Sequence, residues 1–141
     1  MLLIGSVWEH FAHGADIGIR GRGVSRDEAF SEAARALTAV VTEAEIAPRV
    51  AVPLRCAAPD DELLLVAWLD EVIFAMATRR MLFSRFDVQI DGEALTATAW
   101  GEPVEVARHH PAVEPKGATM TALRVGREAD ATWFAQTVID V

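Results

Sequence analysis

The stretch PDDELLLVAWLDEVIFAMATRR constrains the fold more than any other part of the chain. Asp60 follows Pro59 and is placed to cap a helix. Asp61 and Glu62 then stand in the first turn, and Arg79 and Arg80 in the last, as the helix dipole favours. Between those ends nearly every position is apolar, Asp70 and Glu71 excepted. A helix that is apolar on most sides must be buried on most sides. The pattern therefore predicts a central helix, covered by a sheet and by a second helix. Its longest uninterrupted apolar run is Leu63 to Leu69. That is far short of the roughly 20 residues that span a bilayer, so no membrane role is expected.

The second helix reads from SRDEAFSEAARALTAVVTEA. Ser25 is an N-cap, and Glu28 three residues on completes a capping box. Ala29, Phe30, Ala33, Ala34, Leu37, Val40 and Val41 recur at helical spacing, with Arg26, Asp27, Ser31, Glu32 and Arg35 on the wet face. The remainder reads as strands. Ser6–Ala12 and Ile17–Arg22 flank the turn HGAD, and Val50–Cys56 separates the helices. Phe86–Ile90 and Ala94–Trp100 flank Asp91-Gly92, a hairpin signal. Thr119–Val125 and Thr132–Ile139 are rich in β-branched residues. The order β-β-α-β-α-β-β-β-β predicts an α+β domain over residues 1–141, with a mixed, mostly antiparallel sheet packed against two helices.

Charge excludes several functions. Asp and Glu total 21 against 13 Lys and Arg, a formal charge of −8. Phosphate contacts need clustered cations, so direct nucleic-acid binding is not expected, nor is binding to anionic membranes. The first residues, MLLIGSVWEH, carry no positive n-region, so a cytoplasmic protein without a signal peptide is expected. A single cysteine, Cys56, excludes an internal disulfide and reads as a buried structural thiol.

Any chemistry must come from a few placed residues. In the HGAD turn, His13 and Asp16 could converge as a metal pair, or simply cap the turn. At VIDV, Asp140 sits between Ile139 and Val141, and a terminal carboxylate on Val141 would add hard oxygens suited to calcium or magnesium. The alternative is an edge strand with one outward acid. RHHPAVEPKG carries His109, His110, Glu114 and Lys116 between prolines, which reads as a solvated loop in which Lys116 could meet phosphate or carboxylate. Glu102, in WGEP, reads as an exposed strand-end acid that could join a carboxylate cluster. Ser84 has no elbow glycines around it, so nucleophilic catalysis has no support.

Taken together, HGADIGIRGRG, SRDEAFSEAARAL, LLLVAWLDEVIF, MLFSRFDV, WGE, RHH, EPKGAT and VIDV resemble, in order, the motifs of the archease family over nearly the whole chain. The resemblance implies an accessory protein with no catalytic residues of its own. Such proteins assist the GTP- and manganese-dependent RNA-splicing ligase that joins a 3′-phosphate or 2′,3′-cyclic phosphate end to a 5′-hydroxyl end. They promote guanylylation of the ligase and its multiple turnover, in tRNA splicing or RNA repair. It further implies that Asp16, Lys116 and Asp140 carry the activation. A divalent cation, calcium first and manganese or magnesium as alternatives, would be held by Asp16, Asp140 and the Val141 carboxylate. His13, Glu102 and His109 match neighbouring family positions. Gly14 stands where the family usually has Thr, Pro115 and Gly117 where it has Val and Ala, and Met120 where Tyr is common. Two competing readings are a small metal-dependent hydrolase using His13, Asp16 and Asp140, and a chaperone-like binding module. The oligomeric state is left open.

Overall fold

The computed structural model describes residues 7–141; Ser6 and the expectation about a leader fall in residues 1–6, outside it. In chain order the elements are β1 (Val7–His13), β2 (Asp16–Gly23), α1 (Arg26–Val41), β3 (Val50–Ala57), α2 (Asp61–Arg79), β4 (Met81–Asp91), β5 (Ala94–Pro103), α3 (Val106–His109), β6 (Gly117–Ala118), β7 (Arg124–Arg127) and β8 (Trp133–Asp140). This is the expected α+β class. The strands form two sheets rather than one. The larger runs β1-β2-β8-β6, with β7 also paired to β8, and the smaller runs β3-β5-β4. Every pairing among the described residues is antiparallel.

Both long helices start where the sequence places them. Ser25 Oγ accepts from Glu28 N–H at 3.2 Å, and Asp60 Oδ1 accepts from Leu63 N–H at 2.8 Å. The second half of the capping box is displaced by one residue, since Glu28 Oε2 accepts from Val24 N–H rather than from Ser25. Helix α2 stops at Arg80, whose left-handed backbone (φ 53°) turns the chain directly into β4.

The more enclosed helix is α1, not α2. Ten of the sixteen α1 residues are buried, against eight of nineteen in α2. Helix α1 lies between the sheets, packing on β2 and β8 on one side and β4 on the other. Small residues make this possible. A Cβ on Gly21 would stand 2.2 Å from Ala29 O and 2.3 Å from Ala33 N, so the helix backbone rests on bare strand. Enclosure also buries Glu32, expected on the wet face, beneath Arg35, which donates to both its oxygens at 3.1 Å. Helix α2 covers one flank and leaves Phe74 exposed. Its Trp68 is fully buried and donates Nε1–H to Phe30 O at 3.0 Å, joining the two helices.

Three strand expectations change. Strand β4 begins at Met81, five residues early, and carries a bulge between Phe83 and Arg85, at Ser84. Strand β5 runs on to Pro103 and so includes Glu102. The expected strand Thr119–Val125 is split, with residues 119–123 linking β6 to β7.

Candidate functional site

The β1–β2 turn sets the first part of the site. Gly14 takes φ 60°, a left-handed backbone that Gly adopts without strain, and His13 then pairs directly with Asp16. Strand β2 pairs with β8 in the register Ile17↔Ile139, so the next step places Asp16 opposite Asp140. On its other side Asp140 pairs with Gly117 of β6. Lys116 is tied to the same corner, donating its N–H to Asp140 O at 2.8 Å. Residues near the two ends of the described chain thus meet at one end of the larger sheet.

Pleating decides which way each side chain faces. Ile19 and Gly21 face α1, so His13, Asp16 and Asp140 lie on the opposite face, all exposed. Cross-strand neighbours on one face have Cβ atoms about 5 Å apart, within reach of a shared cation. Val141 is half-buried, with its side chain packed on the core. Among the described residues no three His, Cys, Asp or Glu side chains converge to hold a metal. His13 therefore does not complete a triad with Asp16 and Asp140, and the corner presents two carboxylates beside main-chain oxygens.

Lys116, the chain's single lysine, sits at the rim toward α2. It lines a cleft of about 560 Å³ with Asp70, Phe74 and Pro115. Asp70 holds the cleft in shape, because its Oδ1 accepts from Ala118 N–H at 2.8 Å. Sequence reasoning did not single out Asp70 as functional. Its signal was present, as one of two acids interrupting an apolar helix. Alongside runs a mostly apolar groove of about 580 Å³, lined by Ile73, Met76, Val104, Val106, Pro111 and Pro115 among others.

Glu102 and His109 lie elsewhere, and neither is solvated as expected. Both are 1% exposed. Glu102 accepts from Arg108 Nη1 and Nη2 at 2.9 and 2.7 Å, from Ala47 N–H at 2.7 Å, from Arg49 Nη2 at 3.3 Å and from His109 Nε2 at 3.1 Å. The bidentate Arg108 guanidinium, then the Ala47 N–H, hold the Glu102 carboxyl far below the usual carboxylate range. His109 lies on α3, where Nδ1 accepts from Glu105 N–H at 2.8 Å, which leaves the proton to Nε2. His110 is the left-handed cap of α3 (φ 48°). These groups knot β5, the segment after α1 and α3 together. With Ala112 N–H donating to Val41 O at 2.8 Å, they fix the start of the loop that ends at Lys116. Cys56 is half-buried, and burial followed by the nearby Glu71 charge pushes its thiol up to about 11.

The chain has relatives among known proteins over nearly its whole length. The Archease protein family (MTH1598/TM1083) matches residues 8–141. Protein archease of Pyrococcus furiosus is 35% identical over 95% of this chain and 98% of its own length. Protein archease of Methanosarcina barkeri is 32% identical over 97% of each chain. The solution structure of a Methanobacterium thermoautotrophicum protein superposes with a TM-score of 0.80 at 32% identity, covering 95% of this chain and 98% of that one. The chain belongs to the archease family. No helix among the described residues is long and apolar enough to cross a membrane.

Proposed function

We propose that this protein is an accessory factor, without catalysis of its own, that activates a GTP- and manganese-dependent RNA-splicing ligase by promoting its guanylylation. One observation carries the reading within this family: strand register gathers Asp16, Asp140 and Lys116 at one sheet corner. Two carboxylates, with main-chain and water oxygens, suit a hard divalent cation such as calcium, manganese or magnesium. Lys116 supplies a mobile point charge for a phosphate or carboxylate of the partner. Beside it, exposed Phe74 and Val106 and the apolar groove offer area for a protein to cover, in keeping with an accessory role. The hydrolase reading is weaker, because no third His, Cys, Asp or Glu side chain converges with the two carboxylates among the described residues.

The test is single-turnover guanylylation of a purified ligase of this class, with and without the protein. Wild type accelerates the reaction, whereas Lys116→Ala, Asp16→Asn and Asp140→Asn lose most of the acceleration. The Asp variants also lose divalent-cation binding measured by calorimetry on the protein alone. No acceleration by the wild type, or full acceleration by all three variants, refutes the proposal.

A further inference from the structure

One wall of the apolar groove is a stripe of helix α2. Asp70, Ile73, Phe74, Ala77 and Arg80 recur three or four residues apart, so they follow one another along about 15 Å of the helix. The groove and the Lys116 cleft share Ile73, Ala77, Glu114 and Pro115, so the two form one trough. On the α2 wall Phe74 is 63% exposed, and on the facing wall Val106 is 72% exposed.

The facing wall is held before anything binds. Pro111 and Pro115 stiffen it, and Ala112 N–H and Lys116 N–H are each bonded at 2.8 Å, to Val41 O and Asp140 O. Walls fixed in advance lower the entropy cost of docking. The trough offers no main-chain ladder at its lysine end, because Ala118 N–H of the edge strand β6 is already taken by Asp70. An occupant must bind through side chains, as a helix in a groove does, with apolar anchors at i, i+3, i+4 and i+7.

Charge differs between the two ends. Arg80 is exposed and has no acidic partner among the described residues. At the other end Asp70 and Glu114 stand with Lys116, so acids outnumber the base. A helix carries acids best at its N-terminus and bases at its C-terminus. The trough therefore matches a helix that starts at Arg80 and ends at Glu114, antiparallel to α2.

We propose, building on the accessory reading above, that the trough seats an amphipathic helix of the ligase, its apolar face between Phe74 and Val106 and its N-terminal acids against Arg80. Lys116 lines the same trough, so a helix seated there brings the ligase surface beside it to the corner. A small ligand fits less well, since no buried polar side-chain atom among the described residues is left without a partner to orient one.

Binding to a purified ligase of this class is measured by calorimetry, and guanylylation by single turnover at limiting and at saturating protein. Ala77→Glu puts a charge at an exposed position in mid-trough, and Phe74→Ala with Val106→Ala strips both walls. Each should weaken binding at least about tenfold, while acceleration at saturating protein recovers because the corner is untouched. Lys116→Ala should do the reverse, binding within about fivefold of wild type yet losing acceleration. Arg80→Gly suits the left-handed backbone there and should weaken binding about threefold, most at low salt. All these side chains are exposed, so thermal midpoints should stay within about 2 °C. Val24→Ala, at an exposed apolar position outside the trough, is the control and should bind as wild type. Hydrogen exchange should show one helix of the ligase protected by wild type and not by Ala77→Glu. If the wild type binds and the trough variants bind within about twofold of it, this proposal fails and the accessory reading stands. If the wild type neither binds nor accelerates, both fail. Protection of a strand instead of a helix also overturns the proposal. So does a wild type that is dimeric at micromolar concentration and becomes monomeric on Ala77→Glu, which would give the trough to a second copy.

Discussion

Adding one methyl group at Gly21 tests the two-sheet frame directly. The new Cβ would stand 2.2 Å from Ala29 O and 2.3 Å from Ala33 N, both backbone atoms of α1 that no rotamer change can move. Relief requires α1 to lift by roughly 1 Å, and a gap of that size forfeits a quarter to a half of the dispersion energy across a packed contact. Overpacking of this kind costs about 3 kcal/mol, and alanine returns about 0.5 kcal/mol by restricting the unfolded chain. For a domain of this size the net loss lowers the thermal midpoint by about 10 °C. The comparison is Gly117→Ala, where the Cβ would meet only Asp70 Oδ1 at 3.5 Å, an ordinary contact. That variant should be neutral or up to about 3 °C more stable. Both are read by circular dichroism during heating, with urea unfolding as a check. If Gly21→Ala unfolds within about 2 °C of wild type, α1 does not rest on β2 as described.

Glu102 gives the acid side of stability a specific cause. Its carboxyl is held far below its ordinary value, so its contribution is fully present above the ordinary carboxylate pKa and is lost as pH falls toward the lowered one. Thermal midpoints between pH 7 and pH 3 should fall more steeply for wild type than for Glu102→Gln, and parallel curves would deny the Glu102 knot this role. Cys56, with its thiol pushed up to about 11, should react with a thiol reagent at pH 8 far more slowly than a free cysteine, since little thiolate is present. Labelling at the free-cysteine rate would refute that.

What the sequence showed of the fold follows the range of the forces involved. Both N-caps were legible because a cap is settled within four residues, as Ser25–Glu28 and Asp60–Leu63 illustrate. The HGAD turn was legible for the same reason. The division into two sheets was not, because it rests on pairings such as Ile17↔Ile139 that no local pattern encodes. Apolarity alone also ranked the helices wrongly. Helix α2 is the more apolar, yet α1 is the more enclosed, because Gly21 and a run of alanines let its backbone approach a strand. Glu102 was misread because alternation along β5 breaks at Gly101 and Glu102, both buried, beside the bulge of β4. At the corner, spacing alone left Asp16 and Asp140 ambiguous. Their residue types were legible, but their meeting depended on a strand pairing across the length of the chain.

Asp70 is where the frame and the corner act on each other, and it makes the two separable. The residue is exposed and bridges no cation among the described residues, so its contribution to stability is that of one surface hydrogen bond, about 1 kcal/mol. That bond holds Ala118 N–H, two residues beyond Lys116 on a β6 strand only two residues long. Asp70→Ala should therefore leave folding almost intact while freeing the Lys116 loop. In the guanylylation assay it should lower activation several-fold, with the loss largest at limiting concentrations of the protein, where preorganisation of the loop counts most. Asp70→Asn keeps an oxygen acceptor in the same place and should restore most of the activation. This rescue distinguishes positioning from charge. An Asn variant as defective as Ala would mean that the carboxylate itself meets the partner, and an Ala variant as active as wild type would mean that the pose of Lys116 is not set from α2.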